Sequence, residues 1–179
     1  PVLGAAYPSG TQWSSSTRCT TARRSPSDGS ERTGSPMPRC TIVSFRFGPT
    51  DGVSVVARNW ANALAGLGFG VDFLAGAVEP GWDDDRPLTL VEGLSVGASG
   101  PPKADRLVEV LRGTDLVVVE NLCSLPLNPS AARVLAGVLR GRPAVLHHHD
   151  LPWQRTSFAH VTDLPPDDPA WRHVTVNDL

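Results

Sequence analysis

The amino-acid sequence predicts an α/β domain: a Rossmann-like parallel sheet with helices on both faces. Three observations carry that prediction. Strand-like and helix-like segments alternate from residue 41 to the C-terminus. The run "DLVVVEN" is unbroken in valine, as suits a strand buried on both faces. The helical segments are bounded by cap and stop residues rather than by hairpin turns. At 179 residues, the chain holds one domain of ordinary size with a substantial core.

The first strand is "TIVSFRF", closed by Gly48-Pro49 and the turn-rich Thr50-Asp51-Gly52. A helix follows, because Val53, Val56, Ala57, Trp60, Ala61, Leu64 and Leu67 recur at helical spacing and Gly66 and Gly68 supply the stop. "FGVDFLAG" reads as the second strand. "PLTLVEGLSV" is a weaker third, placed after an acidic turn, Asp83-Asp84-Asp85, that lacks the glycine and terminal glutamate of a calcium loop and reads as solvated. Ala104, Leu107, Val108 and Leu111 mark a helix ending near Gly113, and "DLVVVEN" comes next. Asn128-Pro129 opens a further helix with Ala132, Leu135, Ala136 and Leu139 inward; it leads into the strand "PAVLHHH". "RHVTVND" is the last strand.

Ahead of this pattern lies a stretch rich in Ser, Thr, Pro, Gly and Arg with neither helical nor strand periodicity. Residues 1–37 are therefore read as a disordered or non-native segment, with Met37, the only methionine, as the expected natural start, and the domain as 38–179. A formal charge of −2 gives no basis for nucleic-acid binding. Three widely spaced cysteines without a C-x-x-C fit neither a disulfide framework nor a zinc knuckle and suggest a cytoplasmic setting. No apolar run reaches the length of a membrane span, and no basic amphipathic helix supports association with a membrane surface.

In parallel sheets of this kind ligands bind beyond the carboxyl ends of the strands, and three stretches fall there. The loop "GPTDGVS" meets a helix N-terminus, where free amides and the helix dipole favour an anion and where Gly52 would let backbone approach a ligand. It is neither a G-x-G-x-x-G fingerprint nor a P-loop, which counts against a nicotinamide enzyme; Asp51 or Ser54 could equally act as a simple helix cap. Glu120-Asn121 ends another strand and could line the same crevice or serve only as a turn-forming pair.

The third stretch is "AVLHHHDLPWQR". Strand alternation sends His147 and His149 to one face and His148 to the other. A metal would need a further ligand that no H-E-x-x-H or spaced cysteine set supplies, so no metal site is expected and the imidazoles are read as substrate-facing groups. Trp153, Gln154 and Arg155 add an aromatic platform, an amide and a guanidinium, a trio suited to a sugar or phosphate.

Taken together, "IVSFRFGPTDGVSVVARNWANALAGLGFGVDFLAG", "DLVVVENLCSLPLNPSAARVLAGVLRGRPAVLHHHDLPWQR" and "WRHVTVNDL" resemble the N-terminal domain of family-four, GT-B-type glycosyltransferases. The resemblance covers about residues 38–179, and its most specific part is the strand ending in His-Asp followed by an aromatic and a basic residue. It implies transfer of a sugar from a nucleotide-sugar donor to a glycan, lipid or small-molecule acceptor, with retention and without a bound metal or other cofactor. On this resemblance Asp51 and Gly52 approach donor phosphates or an acceptor group, His149 sits near the transferred sugar, and Asp150, Trp153 and Arg155 shape the acceptor side. Joined to the reading of the strand ends, this makes His149 and Asp150 the expected catalytic residues, with Asn121, His147 and Gln154 expected to bind substrate. Such enzymes hold the donor mainly on a second Rossmann-like domain, which this sequence lacks; the chain is therefore expected to be an N-terminal fragment, inactive alone. Two other readings stay open: a metal-assisted hydrolase built on His147, His149 and Asp150, and a non-catalytic module that binds an anion through the Gly52 loop.

Overall fold

The computed structural model describes residues 36–176. The expected N-terminal segment thus falls almost entirely outside the described residues, as do Asn177 and Asp178. Six strands form one sheet: β1 (Arg39–Phe47), β2 (Gly70–Val78), β3 (Leu88–Leu90), β4 (Leu116–Glu120), β5 (Ala144–His148) and β6 (Trp171–Thr175). Their spatial order is β3-β2-β1-β4-β5-β6 and every pairing is parallel. The order reverses between β1 and β4, the point at which sheets of this type open a crevice.

Three helices cover the sheet: α1 (Gly52–Gly66), α2 (Ala104–Val110) and α3 (Pro129–Leu139). Alternation along β1 sorts its side chains to two faces. Cys40 and Ile42 pack with Ala57, Ala61 and Leu64 of α1, while Val43 and Phe45 join the cluster that holds Leu107 and Leu111 beside Leu135 and Leu139 of α3. The Rossmann-like α/β fold with helices on both faces is the architecture the alternating pattern predicts.

Local chemistry explains the helix boundaries. Asp51 caps α1 by accepting from Ser54 N at 3.0 Å, and Gly68 at φ 91° turns the chain out after Leu67. Asn128 caps α3 through Ala131 N at 3.1 Å, and its amide donates to Gly93 O and Ser95 O, tying down the loop between β3 and α2. Trp171 closes the far edge by donating from Nε1 to Leu139 O at 3.2 Å.

The pattern differs from the structure in three places. Leu67, Ala104 and Val108, expected on inner faces, are exposed, because Leu67 lies beyond the last turn of α1 and Ala104 and Val108 sit on the outer side of a seven-residue helix. The third strand is only three residues long, since the backbone at Leu94–Ser95 folds back across Gly76. The acidic turn is not merely solvated: Asp83 pairs with Arg58 and Asp84 with Arg86.

A Cβ on Gly76 would collide with the Ser95 backbone, so Gly76→Ala should lower stability by about 1–3 kcal/mol in urea unfolding. Burial pushes the thiols of Cys40 and Cys123 up to about 12. In a Cys19→Ser chain a thiol reagent at pH 8 should therefore label neither cysteine until denaturant unfolds the protein; rapid labelling of the native chain would contradict this packing.

Candidate functional site

The β4–β5 register builds the site. Glu120, the last residue of β4, pairs with His147 of β5, and His149 lies two residues further on, on the same face. The Glu120 carboxylate is completely buried; its Oε2 meets His147 Nδ1 at 3.0 Å and His149 Nε2 at 2.7 Å, while Oε1 has no partner among the described residues. Burial alone would raise the pKa of this carboxyl. Hydrogen bonds and charge from the two imidazoles outweigh that effect and hold it below the ordinary glutamate range. From α1, Trp60 donates its indole N–H to His147 Nδ1 at 3.2 Å.

Asn121 follows in a left-handed conformation, φ 57°, the only positive φ outside glycine among the described residues. That turn aims the side-chain oxygen Oδ1 at the amides of His149, at 3.3 Å, and Asp150, at 3.5 Å, while the backbone N–H of Asn121 donates to His147 O. One asparagine therefore sets the direction in which the chain leaves β5. Asn121 also lines a cleft of about 290 Å³ with Asp51, Val53 and Arg46, beside the reversal between β1 and β4.

Other predicted residues divide around this centre. Asp51 lies at the cleft, but its carboxylate already satisfies Ser54 N and hydrogen-bonds the Ser54 hydroxyl, so the helix end is not a free anion site. Gly52 is exposed at the first turn of α1, with no protein atom crowding it. Asp150 does not join the histidines; Arg155 clamps it through Nε at 3.1 Å and Nη2 at 2.7 Å. Trp153 is half exposed on a short 3-10 turn (Pro152–Gln154), and Gln154 accepts from Leu151 N at 2.8 Å.

His148 points to the opposite face and enters a second network. Ser124 Oγ lies 2.6 Å from His148 Nδ1, His148 Nε2 lies 2.8 Å from His173 Nδ1, and His173 Nε2 lies 3.2 Å from Asp167. The carboxylate accepts from His173 Nε2–H, so His173 Nδ1 accepts from His148 Nε2–H and Ser124 donates its hydroxyl to His148 Nδ1. Burial, then the neighbouring imidazoles, pushes His148 down to about 4.

Sequence reasoning placed Glu120 only on the crevice rim, set Ser124 in the same stretch without a partner, and missed His173. A glutamate closing a run of buried valines was the available signal for Glu120, since such a carboxylate needs a partner. The pairing of Ser124 and His173 with His148 depends on tertiary contacts.

Comparison with known proteins bears on the same region. The chain is similar to the mannosylglucosylglycerate synthase of Thermotoga maritima, 27% identical over 181 aligned positions that cover 79% of this chain and 40% of that protein. It is also similar to the mannosylglucosylglycerate synthase of Petrotoga mobilis, 26% identical over 172 positions, 77% of this chain and 40% of that protein. The chain thus spans about 40% of the length of these curated relatives. No family model and no solved structure matches. No helix among the described residues is long and apolar enough to cross a membrane.

The Asn121 turn generates a stability prediction. Asn121→Ala should cost about 1–3 kcal/mol, because alanine loses both hydrogen bonds and resists the left-handed backbone. Asn121→Gly should cost less, since glycine takes this φ freely. Paired urea titrations compare them, and a glycine variant less stable than the alanine one would contradict the account.

Proposed function

We propose that this chain is the acceptor-side, N-terminal domain of a glycosyltransferase of GT-B type, which moves a sugar from a nucleotide-sugar donor to an acceptor hydroxyl. The observation that carries the reading is the site at the sheet reversal. Asn121 lines the cleft with Asp51 and at the same time orients the His149–Asp150 turn. A reacting sugar bound beyond these strand ends would meet one partly exposed imidazole, His149, held from behind by a buried carboxylate. The similarity to two synthases of a sugar-bearing glycerate supports sugar transfer as the chemistry.

In this reading the amides at the start of α1 face the cleft from one side, with Asp51 orienting acceptor hydroxyls rather than binding phosphate. Its carboxylate already neutralises that helix end and would repel an anion. His149, braced by Glu120, hydrogen-bonds the transferred sugar or carries a proton at the reacting oxygen. Trp153 offers its exposed ring to a sugar face, and the Asp150–Arg155 pair shapes the acceptor side. The donor nucleotide is assigned to a second domain, which the span of about 40% of each relative leaves room for.

The test is turnover with a panel of nucleotide-sugars, read by mass spectrometry of the product. The full-length polypeptide should transfer, the 179-residue chain alone should not, and His149→Ala in the full-length protein should lose about a hundredfold or more in kcat. Product from the isolated chain would refute the half-site reading, and undiminished turnover by His149→Ala would remove His149 from the centre.

A further inference from the structure

The Glu120–His147–His149 cluster makes two demands that its own protons do not meet. His147 Nδ1 faces both the Trp60 indole N–H, at 3.2 Å, and Glu120 Oε2, at 3.0 Å. If Nδ1 carries a lone pair, the indole is satisfied but two acceptors oppose each other. If Nδ1 carries a proton, the carboxylate is satisfied but two donors oppose each other. Meanwhile Glu120 Oε1 is sealed from water with no hydrogen bond among the described residues, a state that ordinarily costs free energy.

A cation among the three side chains removes the opposition of lone pairs between Glu120 Oε2 and His147 Nδ1, and it places positive charge beside the carboxylate whose Oε1 is left over. One carboxylate oxygen and two imidazole nitrogens lie within 4.8 Å of one another. Four-coordinate zinc with bonds of about 2.1 Å places its ligand atoms about 3.4 Å apart. The observed separations of 3.0 and 2.7 Å from Glu120 Oε2 are therefore shorter by about 0.4 and about 0.7 Å, as expected of ligands drawn together by hydrogen bonds that a bound ion would spread apart. Imidazole with carboxylate suits a divalent transition ion rather than magnesium, which prefers an all-oxygen shell. The strand ends fix the ligands: Glu120 and His147 are register partners, and His149 follows on the same face.

We propose that Glu120, His147 and His149 form a three-ligand site for one divalent transition cation of the zinc class, with a fourth position open on the partly exposed His149 side. The objection raised by sequence, the lack of a third ligand, is met by Glu120 from the neighbouring strand. Asp150, the ligand sequence alone would choose, is held by Arg155 instead. Loading the site removes the lone pair that Trp60 uses, so the indole loses its acceptor and tryptophan emission reports binding. The site goes beyond the transfer reading and stands without it; with an ion on Nε2, His149 would meet a sugar only through its Nδ1–H, as a hydrogen-bond donor and not as a proton carrier.

The experiment uses tag-free, metal-stripped protein titrated with zinc against a chromophoric chelator, and separately with cobalt to read its visible spectrum. Expected are one equivalent of zinc, a four-coordinate cobalt spectrum, a change in tryptophan emission, and no competition from millimolar magnesium. Glu120→Gln and His149→Asn should weaken zinc binding about a hundredfold or more, whereas Asp150→Asn should leave it within about threefold. Thermal melts check that each variant is folded, and the cobalt spectrum of the unaltered chain tests the site without any substitution. Failure of the unaltered chain to bind zinc, a six-coordinate cobalt spectrum, or unchanged affinity in folded Glu120→Gln would each overturn the proposal. Because every readout is metal binding rather than turnover, failure here leaves the transferase reading standing, and failure of transfer leaves this one standing.

Discussion

The pairing of β1 with β4, in register from Cys40↔Leu116 to Val43↔Val119, is the constraint on which the rest depends. It joins two halves of the chain 76 residues apart, and Arg39 N donating to Asp115 secures its first rung. Because β2 and β3 lie to one side of β1 and β5 and β6 beyond β4, right-handed crossovers send α1 to one face and α2 and α3 to the other. The same reversal parts the loops after β1 and β4, which leaves the cleft that Asp51 and Asn121 line. Fold and site share one cause.

Three consecutive histidines illustrate how period-two geometry divides chemistry. His147 and His149 reach the α1 side and converge on Glu120, while His148 crosses to the other face and joins Ser124 and His173. The two networks differ in how completely they are satisfied. Around His148 every proton has an acceptor and the chain of donors runs one way to Asp167, which makes that network a brace between β5 and the edge strand β6. Around Glu120 an oxygen is left over and one nitrogen is claimed twice. An unsatisfied buried group at the mouth of a sheet is where binding free energy is available, and the candidate chemistry is concentrated there.

The polar residues after β5 are linked into local pairs that shape the surface. Arg155 neutralises Asp150, Gln154 holds Leu151, and Trp153 is left half exposed. That arrangement explains why an aspartate beside three histidines is not their partner: a guanidinium five residues on offers two parallel hydrogen bonds, which a single imidazole cannot match.

The order of the elements, their parallel pairing, the caps Asp51 and Asn128, and the inward faces of α1 and α3 were legible in the sequence, because they rest on local periodicity and local hydrogen bonds. The separation of His148 from its two neighbours was legible for the same reason. Local pattern carries no information about register between strands distant in sequence, so the meeting of Glu120 with His147 was decided only when β4 and β5 paired. The left-handed turn at Asn121, the role of Trp60 and the capture of Asp150 by Arg155 likewise depend on which groups arrive at the same point in space, and only the tertiary structure brings them there.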